Sequence, residues 1–262
     1  MAQSCLVGKT YFIRTFGCQM NLHDSERVSG LLDSCGCVEV DDPNDADIVV
    51  FMTCCVRENA DTRLYGQVSA MVSAPTPPGG RRVVAIGGCI AQRDGALIRR
   101  HVPNADVVFG TSALASVPRL LEEAFAQESR GVLVDVDEEG GGFSTDLPTH
   151  RATSFHAWVP IMTGCNNFCT YCTVPYVRGR EHSRPFERIV DECRSLVAEG
   201  TREITLLGQT SIRMAVTSMA PLVSTNCCGR WARRESNGSG SHPPTRRTFP
   251  QASSAPWRRL PR

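Results

Sequence analysis

The sequence predicts an α/β fold, and three observations support this prediction. Short runs rich in valine and isoleucine recur through the first 136 residues, segments with helical periodicity lie between them, and the same alternation begins again near residue 156. Strands that are apolar along their whole length are typical of a sheet buried on both faces, and strands that alternate with helices are typical of a parallel sheet. We therefore expect an N-terminal parallel α/β domain and the start of a second one.

The individual elements follow from these patterns. In the first domain the strands are expected at 9–15, 47–53, 82–87, 105–109 and 131–136, and the helices at 24–34, 57–73, 93–101 and 113–127. The last helix is the clearest of these, because Leu114, Val117, Leu121 and Phe125 fall on one face. In the second domain we expect a strand at 156–162, a helix at 186–198 and a strand at 203–207.

Changes in composition indicate the domain boundaries. The first domain is expected at 9–136 and a partial second domain at 156–209, joined by a linker at 137–155 that is acidic and then glycine-rich. Residues 210–262 are rich in arginine, serine and proline with Glu235 as their only acid, which predicts a disordered basic tail. The near-neutral net charge of +1 conceals this tail, whose charge is also typical of an RNA-binding arm.

Composition excludes several classes of protein. The 262 residues are 41% hydrophobic and 21% charged, which is ordinary for a globular chain and not for a fibrous or fully disordered one. No stretch approaches the roughly 18 to 20 unbroken apolar residues of a membrane helix, and we expect no signal peptide. We therefore expect a cytoplasmic protein, in which a cluster among the thirteen cysteines binds metal or takes part in catalysis instead of forming disulfides.

Three cysteines occupy the same place in successive strand–helix units. Cys18, Cys54 and Cys89, the first cysteine trio, each follow a predicted strand and precede a helix. Because the carboxyl ends of parallel strands meet at one edge of the sheet, we expect these thiols to lie close together. A helix N-terminus also favours the thiolate that binds metal. One such cysteine alone is more often a small buried apolar residue, whereas three favour a metal site.

A second group of cysteines has the most specific spacing in the chain. Cys165, Cys169 and Cys172, the second cysteine trio, are arranged as C-x3-C-x2-C between a predicted strand and helix. Three thiolates at this spacing can each bind one iron of a cubane cluster and leave the fourth iron open. A structural zinc site would need a fourth ligand, for which His182 and Cys193 are the alternatives.

The segments around both trios resemble the methylthiotransferases, a family of radical S-adenosylmethionine enzymes. The motifs TFGCQMN, TCCVRENA, GGCIAQ, GCNNFCTYCTVPYVRGREHSRP and TLLGQ occur in the family's order over residues 9–209. The resemblance implies that the second domain is the start of a radical (β/α) barrel and that each trio holds one [4Fe-4S] cluster. It selects Cys54, not the adjacent Cys55, as the ligand. It also implies a transferase of the tRNA branch, which adds a methylthio group to C2 of N6-isopentenyladenosine at position 37.

The same resemblance implies roles for further residues. The second trio is catalytic, because the cluster on it cleaves S-adenosylmethionine to a 5′-deoxyadenosyl radical. Tyr171 lies near the adenine of this cofactor and Gln209 on its side of the barrel, while Arg178 binds the cofactor carboxylate or tRNA phosphates. The alternatives from the residues alone are packing against the next helix for Tyr171, a solvated loop for Arg178 and a simple turn for Gln209.

The resemblance also implies partners, and it ends after Gln209. We expect tRNA as substrate, an electron donor such as a flavodoxin or ferredoxin, a monomer and no membrane association. The family's sequence does not continue beyond Gln209, and one lysine beside many arginines suggests GC-rich coding DNA. We therefore expect a truncation or frame disruption there. The alternative functions are methylthiolation of a ribosomal-protein aspartate and a non-catalytic iron–sulfur or other metal-binding remnant.

Overall fold

The structure is a computed structural model, and it forms two compact units. It describes residues 5–55, 60–76, 80–127, 131–137 and 147–209. The expected tail at 210–262 and residues 138–146 of the expected linker lie outside the described residues. The first unit consists of residues up to 152 together with 163–182, and the second consists of 153–162 together with the chain from 183.

A parallel sheet of six strands forms the centre of the first unit, which confirms the predicted α/β class. Its strands are β1 (Thr10–Thr15), β2 (Val38–Glu39), β3 (Ile48–Thr53), β4 (Val83–Gly88), β5 (Val107–Phe109) and β6 (Leu133–Asp135). Their order across the sheet is β2-β1-β3-β4-β5-β6. Only β2, which has two exposed residues, was not predicted, because it carries no apolar run.

The first unit also contains helices. They are α1 (Gln19–Ser34), α2 (Ala60–Ser73), α3 (Cys89–Asp94), α4 (Ile98–His101), α5 (Val117–Ala126) and, in the segment 163–182, α6 (Val174–Val177). Short 3-10 turns at Gly95–Leu97 and Leu114–Ser116 precede α4 and α5. The helix predicted at 93–101 is therefore interrupted, because Gly95 has a positive φ of 48°.

Side chains on both faces of the central strands β3, β4 and β5 are buried, as their apolar runs predict. Along β3, Ile48, Val50 and Met52 pack in one core with α1 and α5, whereas Val49 and Phe51 pack in a second core with α2 and α4. All six residues of β3 and all six of β4 are buried. The helices therefore cover the sheet on both sides, and its polar chemistry is left to the loops at the strand ends.

The second unit contains one strand–helix–strand repeat. Strands β7 (His156–Pro160) and β10 (Glu203–Leu207) pair in parallel, and α7 (Phe186–Ala198) packs against them. The bounds of α7 and β10 agree with the prediction, whereas the predicted strand at 156–162 stops at Pro160. Two short strands, β8 (Met162–Thr163) and β9 (His182–Ser183), pair in a separate sheet.

The end of the expected linker packs against α1. The backbone N–H of His150 donates to the carbonyl of Glu26 at 2.9 Å, and Arg27 donates to the carbonyl of Leu147. A Cβ on Gly30 would lie 2.5 Å from the Pro148 backbone, so the two segments approach at a glycine. No helix in the described part of the chain is long and apolar enough to cross a membrane.

Candidate metal centre

The first cysteine trio lies at the carboxyl ends of three neighbouring strands. Cys18 precedes the first residue of α1 and follows β1, Cys54 follows β3 directly, and Cys89 is the first residue of α3 after β4. Strand β3 pairs in parallel with both β1 and β4, so the three loops leave the same edge of the sheet side by side. This is the position in parallel α/β sheets where ligands bind.

Glycines allow the three loops to approach one another closely. Gly17 has a φ of +105°, and a Cβ there would lie 2.1 Å from the Cβ of Cys54 and 2.6 Å from its Sγ. Gly88 has a φ of +91°, and its Cβ would lie 2.6 Å from the carbonyl oxygen of Thr53. The hydroxyl of Thr53 also donates to the carbonyl of Gly87 at 2.6 Å. A side chain at either glycine would therefore push the cysteine loops apart.

The thiols at this edge interact in two pairs. A hydrogen bond from Cys54 lowers the pKa of Cys18 to about 5, and one from Cys89 lowers the pKa of Cys55 to about 6. The bond to Cys55, together with burial, raises the pKa of Cys89. The Sγ of Cys55 also lies 3.1 Å from the hydroxyl of Thr173. Cys55 is thus a fourth thiol beside the first trio, although the sequence motif selects Cys54.

Asn21 and Asp24, which the sequence did not indicate as site residues, lie at the contacts between these loops. Asn21 donates through its amide to the carbonyl of Phe16 at 2.9 Å and to the carbonyl of Thr53 at 2.6 Å. The Nη2 of Arg178 lies 2.9 Å from the Oδ1 of Asn21 and 2.7 Å from the Oδ2 of Asp24. Asn21 and Asp24 are both buried. The position of Asn21 three residues after the first cysteine was the only available signal.

The donors at this edge fit an iron–sulfur group. Thiolate sulfur is the usual protein ligand of such groups, and three strand ends supply it here next to a buried guanidinium that offsets negative charge. Among the described residues, no three or more Cys, His, Asp or Glu side chains are arranged as a ready metal site. The fit therefore rests on the kind of donor and on the convergence of the loops.

The second cysteine trio lies in the loop between β8 and α6. Cys165 is buried, Cys172 is half-buried and Cys169 is exposed. The loop turns tightly, because the N–H of Cys172 donates to the carbonyl of Cys169 at 2.9 Å. Gly164 has a φ of +68°, and a Cβ there would lie 2.0 Å from the carbonyl oxygen of Arg180.

An aromatic group borders the second trio. Phe168 has a φ of 45° in the left-handed region and contacts Tyr176 edge to face at 5.9 Å between ring centroids. The guanidinium of Arg180 lies over the Phe168 ring at 5.7 Å. Tyr171 is 89% exposed and so does not pack against the following helix.

The remaining predicted site residues lie in different surroundings. Gln209 is exposed after β10 in the second unit, whereas the second trio belongs to the first unit. Arg178 is buried beside the first trio instead of lying in a solvated loop. Cys193, an alternative zinc ligand, is buried in the apolar core of the second unit, and His182 is exposed.

Two family models match the chain. Residues 10–110 match the model described as "Uncharacterized protein family UPF0004", and residues 159–212 match that of the radical SAM superfamily. The first match ends just after β5 and so includes the first trio. The second begins within β7 and includes the second trio.

Curated relatives match across both regions. The chain is 50% identical over 203 residues to the tRNA-2-methylthio-N(6)-dimethylallyladenosine synthase of Streptomyces avermitilis. These residues are 77% of this chain and 39% of the relative. The enzyme of the same name from Frankia casuarinae is 50% identical over 202 residues, or 77% of this chain and 37% of the relative. The enzyme of the same name from Mycobacterium bovis is 46% identical over 219 residues, which is 83% of this chain and 42% of the relative. This chain thus spans about 40% of the length of these relatives, and its similarity to them extends over both regions that the family models match.

Proposed function

We propose that this chain is part of a tRNA methylthiotransferase, which adds a methylthio group to C2 of N6-isopentenyladenosine at position 37. The observation that carries the proposal is the presence of two cysteine trios in one chain, the first at the strand ends of the sheet and the second in the C-x3-C-x2-C loop. The names of the relatives at 46 to 50% identity support the same substrate. We also propose the domain boundaries expected from composition, which are 9–136 for the first domain, 137–155 for the linker and 156–209 for the partial second domain.

The two trios have separate roles in this proposal. The second trio would hold the [4Fe-4S] cluster that binds S-adenosylmethionine, with Tyr171 and Gln209 beside the cofactor. The first trio would hold a second [4Fe-4S] cluster. When bound, these groups would supply a radical that removes hydrogen from C2, together with the sulfur and the methyl group that replace it. C2 of adenine carries an unactivated C–H bond, which acid–base side chains do not break at neutral pH.

The chain's own residues would hold and shield these groups. Asn21 fixes the two backbone carbonyls that precede the first two trio loops, at Phe16 and Thr53. Gly17 and Gly88 allow the loops to approach without an intervening side chain. The exposed ring of Tyr171 is available to contact an adenine. These features bind and orient, which is the protein's share of the work in cofactor enzymes.

The proposal includes partners and a location. The substrate is tRNA, and an electron donor such as a flavodoxin or ferredoxin would reduce the cluster on the second trio. We propose that the protein acts in the cytoplasm, because its cysteines suit a reducing compartment. We also propose that it acts as a monomer.

Anaerobic reconstitution of the purified chain with iron and sulfide tests the proposal. We expect about eight irons per chain, and about four after the three cysteines of either trio are changed to alanine. Incubation with S-adenosylmethionine and dithionite is expected to release 5′-deoxyadenosine, and replacement of the second trio is expected to abolish this release. Iron content that does not change in either triple variant would contradict the proposal.

A second candidate is a non-catalytic iron–sulfur module, because the cysteines of the two trios suffice to bind iron without a reaction. This candidate predicts bound iron without release of 5′-deoxyadenosine. The methylthiotransferase proposal predicts both bound iron and release of 5′-deoxyadenosine. Mass spectrometry of tRNA incubated with the reconstituted chain would detect the methylthio group. The same assay separates tRNA from a ribosomal-protein substrate.

A further inference from the structure

Arg178 joins the segment that carries the second cysteine trio to the loops of the first. It follows α6 directly, and its guanidinium is buried. Its Nη2 lies 2.7 Å from Asp24 and 2.9 Å from Asn21, across more than 150 residues of sequence. Both partners belong to α1, which begins one residue after Cys18.

The neighbours of Arg178 are the first-trio loops themselves. The carbonyls that Asn21 binds belong to Phe16, two residues before Cys18, and to Thr53, directly before Cys54. The Sγ of Cys89 lies 4.0 Å from the Oδ1 of Asn21, the same oxygen that accepts from Arg178. The guanidinium of Arg178 is thus connected to all three loops through the side-chain amide of Asn21.

A buried pair such as Arg178 and Asp24 needs an explanation other than stability. Removing both charges from water has a large free-energy cost, and the attraction between them often only offsets this cost. Although burial alone would lower the pKa of Arg178, Asp24 and the thiols of Cys89 and Cys18 raise it overall. Burial likewise opposes the ionisation of Asp24, whose pKa is nevertheless lowered by Arg178 and His23. Both groups therefore keep their charge beside the thiols.

We infer that Arg178 is a positioning residue that sets the reduction potential of the iron–sulfur group on the first cysteine trio, and that Asp24 moderates its charge. This inference rests on the proposed function of the first trio as a cluster site. Reduction adds negative charge to a cluster, and a buried cation nearby makes that charge less costly. Loss of the Arg178 charge lowers the potential, and loss of the Asp24 charge raises it.

The test uses the full chain with Cys165, Cys169 and Cys172 changed to alanine, so that any cluster is held by the first trio. The midpoint potential is measured by a redox titration followed by electron paramagnetic resonance, and iron is counted in each sample. Arg178→Gln is expected to lower the potential, Asp24→Asn to raise it, and Arg178→Lys to leave it near the parent value. Arg180→Gln is the matched control, since Arg180 is an exposed arginine of the same segment and its loss should not change the potential.

Opposite shifts in Arg178→Gln and Asp24→Asn support the inference, because a merely structural role would affect both variants in the same direction. Shifts of the same sign, or potentials equal to that of the parent, overturn it. If Arg178→Gln does not fold, Asp24→Asn decides alone, and an unchanged potential overturns the inference. If the parent chain binds no iron, the proposed function of the first trio fails as well. Bound iron with an unaltered potential refutes only the role of Arg178.

Discussion

Replacing Gly17 with alanine is expected to remove iron from the first cysteine trio while leaving the sheet folded. The new Cβ would lie 2.1 Å from the Cβ of Cys54, about 1.4 Å short of an ordinary carbon–carbon contact. Cys54 must therefore move by about that distance, whereas metal–ligand distances tolerate only about 0.2 Å. The φ of +105° adds roughly 1 to 3 kcal/mol of backbone strain for a residue with a Cβ.

Gly36→Ala is the matched control for this change. Gly36 also has a positive φ, +81°, but a Cβ there would meet Val7 at 3.5 Å, an ordinary contact. Backbone strain should therefore cost both variants roughly 1 to 3 kcal/mol of stability, and Gly17→Ala should lose more because Cys54 must also move, measured by urea denaturation of the chain without added iron.

The assay for iron uses the variant that lacks the second trio. After anaerobic reconstitution, the parent and Gly36→Ala should hold about four irons per chain, and Gly17→Ala less than one. Equal iron in the Gly17 and Gly36 variants would refute the claim that close approach at Gly17 positions Cys54.

Three further predictions concern other residues. Cys54→Ser should remove more than half of the iron from the first trio, whereas Cys55→Ser should retain it, measured by the same reconstitution. A hydrogen bond to Asp33, together with its charge, raises the pKa of His150, so the protonated imidazole stabilises the fold. That stability is present below pH of about 6.5 and is lost as the pH rises through the raised value. His150→Gln should therefore lose less stability than wild type between pH 6 and pH 8.5, measured by urea unfolding. Ile189→Ala should destabilise α7 by about 2 to 5 kcal/mol, since Ile189 is fully buried, measured by hydrogen exchange of the α7 amides.

The first two of these predictions have a clear contrary result, and the third has a matched control. Equal iron loss in the two serine variants would mean that Cys55, the thiol beside Cys89, also serves as a ligand. The same pH dependence in wild type and His150→Gln would show that another group titrates. Val197→Ala, at an exposed position of α7, is the control for Ile189 and should leave exchange nearly unchanged.

Local pattern predicted the sheet well but not the start of α1. The apolar runs of β3 and β4 marked both strands to within one residue, because strands buried on both faces have no polar positions. The sequence predicted α1 from residue 24, whereas it begins at Gln19. Its first turns bury Asn21 and Asp24 instead of apolar side chains, so hydrophobic periodicity does not mark them.

The sequence alone determined the α/β class and the positions of both cysteine trios, because apolar runs and cysteine spacing are local properties of the chain. Only the tertiary structure decided that Arg178 lies buried against Asp24 and Asn21. From its place near the second trio, the family resemblance predicts that Arg178 binds the cofactor carboxylate or tRNA phosphates. Its partners are more than 150 residues away, and a pairing at that distance depends on how the folded segments pack, which no local pattern records.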